Sequence, residues 1–366
     1  MLGHKAIGVI DSSRGGAEVV VEELSTRMAA LGHEVTCYNR SNCDKGRQSS
    51  YKGVILKRVF TIDRKGFAAL TSSFIAALKS AVGDFDIVHF HAEGSCFWMW
   101  IPYVFKKKCV ATIHGIDWKR EKWETSLGAW CIRCGEKMAV RFADEIIVLS
   151  KDMQEYFLAT YGRKTVFIPN GANLPVARDA EMIIRQFSLK KNDYILFLGR
   201  LVPEKGLRYL VEAYEKLDTD KKLVIAGAGS DTEDLVRELQ ERAAGDDRVI
   251  FTGYVAGQMK EELYSNAYIY VLPSDLEGMS LGLLEAMSYG NCCVVSDIAE
   301  CVEVVEDHAV TFRKGNVEAL SEKMQMLCDD PAMVARYKKD ASSFVCGKYN
   351  WDDVVKKTLD LYENIL

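Results

Sequence analysis

Short apolar, β-branched runs alternate along the chain with stretches whose apolar positions recur every three or four residues. In the first half the runs fall at residues 6–10, 34–38, 54–60, 87–91, 109–114, 145–149 and 165–169. Between them Val20, Leu24, Met28 and Leu31, and then Phe67, Leu70, Phe74 and Leu78, recur at helical spacing. The second half repeats this grammar, with runs at 194–198, 222–226, 249–252, 269–272, 292–296 and 310–312. Strands that alternate with helices predict parallel sheets covered on both faces. The series restarts after the polar stretch 172–192, read as a linker. The fold class is therefore α/β, with two doubly wound, Rossmann-like domains facing a deep cleft. The first domain is expected at 1–172 and the second at 190–349. A last helix is predicted from Val354, Val355, Leu359 and Tyr362, and no strand follows it.

Composition narrows the class. Hydrophobic residues are 48% and charged residues 27% of 366, a globular balance that excludes disorder, collagen and coiled coil. The longest uncharged apolar run, 95–105, is well short of the roughly 18–20 residues that span a bilayer. No apolar segment of signal-peptide type opens the chain, so none is expected. The eleven cysteines include Cys37, Cys109, Cys292 and Cys293 inside apolar runs, where thiols act as small hydrophobes. A reduced, cytoplasmic compartment is the simplest reading. Cys131 and Cys134 form a CxxC without a second pair, so two helical core positions are expected rather than zinc or redox chemistry.

The net charge of −5 is split. Residues 1–171 carry 24 Lys and Arg against 18 Asp and Glu, and the rest carry 23 against 34, giving +6 and −11. An anionic surface or substrate for the first half would explain this, and so would ordinary solvated faces.

Ligands of open α/β sheets bind beyond the carboxyl ends of strands, where strand order reverses. The unusual residues lie on such loops. After the first run, Gly15 and Gly16 let backbone approach a ligand, and the following helix offers N–H groups to an anion. The spacing is not GxGxxG, which disfavours a nicotinamide dehydrogenase. After residue 198, Arg200 and Lys205 bracket a helix start and suit a diphosphate. After residue 272, Glu277 sits in a loop, Ser280 is a good N-cap, and N–H groups near Met279, Ser280 and Leu281 suit phosphate oxygens. Glu285 stands among Leu283, Leu284, Ala286 and Met287, a costly place for a carboxylate without hydrogen-bond partners such as ribose hydroxyls. In the first half His91, Glu93, His114 and Asp117 close adjacent strands and are expected to hold polar substrate, His91, Glu93 and Asp117 on the acceptor side; their spacing fits no common zinc pattern. Asp84 and Asp86 form a DxD at the wrong end of a strand for metal-assisted sugar transfer. Phe97, Trp98 and Trp100, followed by Lys106, Lys107 and Lys108, read as a core helix with a basic end or as a peripheral membrane contact.

Together these residues resemble a family. Gly15, Gly16 and Glu18; Gly32 and His33; Pro169 to Gly171; Gly199 and Arg200 with Lys205 and Gly206; Gly227 and Gly229; Gly253; and Glu277 with Glu285 are similar, in register over nearly the whole chain, to glycosyltransferase family four. The segment from Thr112 to Trp118 resembles a bacterial subgroup that builds surface polysaccharides. The resemblance implies a retaining, nucleotide-sugar-dependent enzyme of the GT-B fold, a hexosyl- or deoxyhexosyltransferase. It gives Arg200 and Lys205 the donor diphosphate, Glu285 the ribose, Glu277 the donor sugar, the backbone at 253–255 the base, Gly16 the phosphate and acceptor side, and His114 the donor sugar. Gly227, Met279, Ser280 and Leu281 join the donor site. The C-terminal helix, 350–366, would cross back onto the first domain. Where many members have Phe and Gly after the Glu-Gly pair, this chain has Met279 and Ser280, so the donor sugar is not fixed.

The expected partners are a nucleoside diphosphate sugar and a glycan or lipid-linked glycan acceptor, with peripheral contact at an anionic inner membrane face and no nucleic acid. No metal cofactor is expected, because the two cations supply the charge. A nucleotide-sugar epimerase, a sugar phosphorylase or a nucleotide-sugar-binding protein without turnover remain alternatives, since fold does not fix function.

Overall fold

The computed structural model describes residues 1–9, 15–44, 46, 48–64, 67–119, 127–230 and 232–366, except the side chains of Lys119 and Leu127. Residues 11–14, part of the first glycine loop, lie outside the described residues. The chain divides into two compact units, Met1–Asn170 with Trp351–Leu366, and Gly171–Asn350.

In the first unit the elements run α1 (Gly16–Ala30), β1 (Thr36–Arg40), β2 (Ser50–Tyr51), β3 (Val54–Val59), α2 (Phe67–Val82), β4 (Ile87–His91), α3 (Glu93–Cys96), α4 (Trp100–Val104), β5 (Lys108–Ile113), α5 (Leu127–Phe142), β6 (Glu145–Val148), α6 (Lys151–Tyr161) and β7 (Val166–Phe167). Strands β4 to β7 make a parallel sheet in chain order, and β1, β3 and β2 make a second sheet. Of the strand expected at 6–10, the described residues 6–9 form none, and Ile7 and Gly8 lie in a bend. Residues 1–5 take that place instead. Tyr38 N–H donates to Met1 and Arg40 N–H to Lys5 on the β1 side, while Leu2 N–H donates to His89 and His91 N–H to Leu2 on the β4 side. A segment with few apolar residues thus becomes the seam between two sheets.

The second unit runs α7 (Met182–Phe187), β8 (Tyr194–Leu198), α8 (Leu207–Glu215), β9 (Lys222–Ala226), α9 (Glu233–Ala243), β10 (Val249–Gly253), α10 (Gly257–Asn266), β11 (Ile269–Leu272), α11 (Leu281–Ser288), β12 (Cys292–Ser296), α12 (Ala299–Val305), β13 (Val310–Phe312), α13 (Val317–Asp329) and α14 (Pro331–Lys348). All pairings are parallel, in the order β10-β9-β8-β11-β12-β13. This is the doubly wound order, and it reverses between β8 and β11. Central strands such as β8 and β12 are apolar throughout because helices cover both faces. The stretch 172–192 is no loose linker. The buried Glu262 carboxylate accepts the N–H groups of Glu181, Met182 and Ile183 at 2.9, 2.7 and 3.1 Å, capping α7 onto α10.

The last helix, α15 (Trp351–Ile365), belongs to the first unit and packs on α1. Cys131 and Cys134 are half-buried on α5 rather than core, and all eleven cysteines are free thiols. Among the described residues no helix is long and apolar enough to cross a membrane.

Candidate functional site

The reversal point of the second sheet gathers the charged loop residues. Gly206, at φ 65°, starts α8, and a Cβ there would stand 2.0 Å from the Pro273 carbonyl oxygen. Only glycine lets the loop after β8 lie against the loop after β11. Asp275 N–H donates to Glu204 O at 2.8 Å and Tyr209 OH to Asp275 at 3.1 Å, fastening the two loops. This contact puts Lys205 Nζ 2.5 Å from Glu277 Oε1. Ser274 Oγ donates to the same Glu277 oxygen at 2.6 Å, and the Ser274 carbonyl in turn accepts the Ser296 hydroxyl. The pair is nearly buried, with 13% and 9% of the side chains exposed. Arg200 follows β8 directly, half-buried, and its guanidinium makes no hydrogen bond or ion pair among the described residues.

A third loop closes in from β9. Gly227, at φ 142°, lies so close to Gly199 that a Cβ would stand 1.8 Å from its carbonyl oxygen. Gly227 N–H donates to Gly253 O, which ends β10 exposed. The start of α11 presses on the end of β8, since a Cβ at Gly282 would meet the Leu198 carbonyl oxygen at 3.2 Å. Ser280 caps this helix as expected, accepting from Leu283 N–H, and both Met279 and Ser280 are buried.

Glu285 departs from the sequence reading. Leu283, Leu284, Ala286 and Met287 are buried, but Leu281, Gly282 and Glu285 share the opposite, more open side of α11. Apolar neighbours in sequence are not neighbours in space on a helix. With 31% of its side chain exposed, Glu285 accepts Lys260 Nζ at 2.8 Å and lies 3.4 Å from the Tyr264 hydroxyl.

In the first unit the strand-end residues separate into two layers. His114 and Asp117 are half-buried, whereas His91 and Glu93 are fully buried and present no side chain to an acceptor. The expected acceptor-side role of those two therefore gives way to support. His91 Nδ1 meets His114 Nε2 at 3.2 Å, and His91 also stacks on His89. His89 lies between Thr112 Oγ1 at 2.7 Å and Tyr362 OH of α15 at 2.5 Å, so the C-terminal helix braces the histidine stack. Burial, followed by neighbouring positive charge, holds His89 and His91 well below the usual imidazole range, so both stay neutral. Glu93 Oε2 accepts the Asp117 N–H at 2.9 Å. Burial, the charge of Asp117 and its contact with Glu136 push the Glu93 carboxyl well above the usual carboxylate range. At the start of α1, Gly16 is exposed, but the buried Glu18 carboxylate already accepts Gly15 N–H at 2.8 Å and Lys5 N–H at 2.9 Å.

Lys260, Ser274, Glu136 and Tyr362 escape a reading of the sequence. Lys260 looks like any lysine of a polar helix, and Ser274 like a turn residue. Glu136 sits in an ordinary amphipathic pattern. Tyr362 reads as one of the apolar positions of its helix, but the hydroxyl bond to His89 spans 273 residues and leaves no local trace.

Comparison with known proteins bears on the family and the fold. Residues 14–175 match the family model described as Glycosyltransferase Family 4, and 179–344 match the one described as Glycosyl transferases group 1. An uncharacterized glycosyltransferase of Methanocaldococcus jannaschii is 25% identical, covering 95% of this chain and 94% of its own. The N,N'-diacetylbacillosaminyl-diphospho-undecaprenol alpha-1,3-N-acetylgalactosaminyltransferase of Campylobacter jejuni is also 25% identical, covering 94% and 89%. The structure of Anabaena HepE in complex with UDP-glucose superposes with a TM-score of 0.81 at 16% identity, covering 98% of each chain. Two family models in sequence over nearly the whole chain, on the two Rossmann-like units of the GT-B fold, show that it belongs to glycosyltransferase family four.

Proposed function

We propose that this glycosyltransferase moves a sugar from a nucleoside diphosphate sugar to an acceptor hydroxyl with retention of anomeric configuration. The observation that carries the reading is the Lys205–Glu277 pair at the sheet's reversal point, beside Arg200 and the capped start of α11. An incoming pyrophosphate replaces Glu277 as the partner of Lys205, gains Arg200 and takes N–H groups at Met279, Ser280 and Leu281. Glu277, released from Lys205, is free to accept sugar hydroxyls. Glu285, oriented by Lys260, accepts the ribose hydroxyls, and the backbone at Gly253 faces the base. Gly227 keeps the floor of the site open, and Gly16 and His114 take the phosphate and donor-sugar roles that the family resemblance gives them.

The bond from the anomeric carbon to the diphosphate oxygen breaks, and its electron pair leaves with the phosphate. The acceptor oxygen bonds on the same face, and its proton passes to the departing phosphate oxygen. Stabilising that oxygen is the main task, and losing one cation there costs on the order of 10²–10³ in rate. The two cations make a divalent metal unnecessary in this scheme, so EDTA should leave turnover intact.

The acceptor in this reading is a glycan or a lipid-linked glycan of surface-polysaccharide type. The Campylobacter relative's name includes such a lipid. The first unit's positive balance supports a peripheral contact with anionic lipid. The aromatic segment divides: Met99 is buried, Trp98 packs on Phe74, and Trp100, Tyr103, Val104 and Phe105 are exposed just before Lys106. Flotation with phosphatidylglycerol-containing vesicles tests this contact, and absence of co-flotation at low salt contradicts it.

The function is tested by screening nucleotide sugars by thermal shift, with uridine nucleotides first, and then following release of free nucleoside diphosphate. Release that depends on an acceptor supports transfer. Binding without release points to a binding protein, and a changed sugar on an intact donor points to an epimerase.

A further inference from the structure

Two buried carboxyl groups meet in the first unit. Glu93 opens α3 and is fully buried. Its Oε2 accepts the Asp117 N–H at 2.9 Å. Its Oε1 is buried and has no donor among the described residues, and Glu136 on α5 is the neighbouring carboxyl. Glu136 is just as deep, at 1% exposure, but its surroundings are of the opposite kind. Trp118 Nε1–H donates to its Oε2 at 3.1 Å, the Tyr156 hydroxyl to its Oε1 at 2.9 Å, and the Tyr161 hydroxyl to the same Oε1. The two helices lie too close for a side chain to stand between them at this point. A Cβ on Gly135 of α5 would stand 2.0 Å from the Glu93 carbonyl oxygen, so backbone touches backbone.

Two carboxyl groups this close and this dry cannot both be charged. The donors decide which one keeps a proton. Three N–H and O–H groups converge on Glu136 and need an acceptor. The second oxygen of Glu93 has no donor among the described residues, and its neighbour is another carboxyl. We infer that Glu93 is a neutral carboxylic acid that donates its proton to the Glu136 carboxylate, and that this bond clasps the segment carrying His114, Asp117 and Trp118 against α3 and α5. Glu93 is then a positioning residue for His114. Its consequence for turnover rests on the donor reading above, whereas the clasp does not.

Two carboxyl groups oppose a negative charge on Glu93, Asp117 from the loop and Glu136 from α5, while burial keeps the nearby Tyr156 phenol and Cys96 thiol neutral. The Arg133 guanidinium stacks on the far partner, 4.3 Å from the Trp118 ring, and helps fix the indole that donates to Glu136.

The test uses one chemical change at two positions in the full chain. Glu93→Gln offers an amide N–H where the acid offers O–H, and keeps a carbonyl oxygen for Asp117. Glu136→Gln sets an NH₂ group against a ring of donors. Hydrogen exchange of residues 114–119 should stay within about twofold of the parent in Glu93→Gln and lose about tenfold or more protection in Glu136→Gln. Infrared spectra at neutral pH should show the carbonyl stretch of a protonated carboxyl in the parent and lose it in Glu93→Gln, a readout that does not depend on the less stable variant folding. A parent without that band, a band unchanged in Glu93→Gln, or exchange opened as far by Glu93→Gln as by Glu136→Gln overturns the inference. If nucleotide sugars fail to bind while these results hold, the donor reading falls and the clasp stands.

Discussion

Lys205 and Glu277 stand 72 residues apart in the chain and 2.5 Å apart in space. The contact exists because Gly206 lets one loop lie on the carbonyl of Pro273. In the free protein each charge satisfies the other, and the proposed chemistry begins when a diphosphate takes Lys205 away.

Removing one partner therefore has two effects. Lys205→Ala leaves Glu277 with Ser274 alone in a nearly dry place, which should cost about 3 kcal/mol. It should also cut donor turnover by about 10²–10³. The double variant Lys205→Ala with Glu277→Ala should recover part of the stability and none of the turnover. Additive losses in thermal unfolding would show that the two residues do not interact.

Glu285 should be essential for nucleotide binding, and Lys260 should matter through it. Glu285→Ala should abolish the donor-dependent thermal shift. Lys260→Ala should raise KM about tenfold with little change in kcat, and Lys260→Arg should restore most of it. Titration calorimetry that finds equal affinity in all three variants would remove the ribose from Glu285.

The loop contact itself can be tested through glycine. Gly206→Ala puts a methyl group 2.0 Å from a backbone oxygen at positive φ. It should destabilise the second unit by about 3 kcal/mol or more and separate Lys205 from Glu277. Gly245→Ala, where a Cβ meets nothing within 4 Å, is the control and should be neutral. Urea unfolding that gives equal losses for both would contradict the close approach.

Glu93 should leave a mark on pH dependence. Its folded pKa is raised, so the folded chain binds a proton that the unfolded chain has released. Its contribution is full below the unfolded pKa of about 4.3 and falls by about 1.4 kcal/mol per pH unit as pH rises toward the folded value. His89 and His91 act in reverse, because their folded pKa values are lowered. Their contribution is full above about pH 6.5 and is lost as pH falls through the unfolded value toward the folded one. The stability of the parent minus that of Glu93→Gln should therefore decline with pH, and two parallel curves would contradict this.

The second unit was largely legible in the sequence because each of its strands is an apolar run with helices on both faces. The first unit was harder. Residues 1–5 form the seam between β1 and β4 with few apolar residues to announce it, while the described part of the apolar run after them, 6–9, forms no strand. Burial at strand ends was not legible either: His91 and Glu93 have the composition of a site and the depth of a core. The polar stretch 172–192 resembled a linker because its anchor, Glu262, lies 80 residues beyond Met182. Glu285 has apolar neighbours along the chain but not around the helix, where it shares the more open side with Leu281 and Gly282.

The central claim is that a diphosphate sits at the reversal point of the second sheet. A crystal structure with the nucleotide sugar that most raises the melting temperature tests it most directly. The account predicts phosphate oxygens about 3 Å from Lys205 Nζ and from the Arg200 guanidinium, with Glu277 turned away from Lys205. A nucleotide bound elsewhere, or a Lys205–Glu277 pair left intact beside it, would contradict the account.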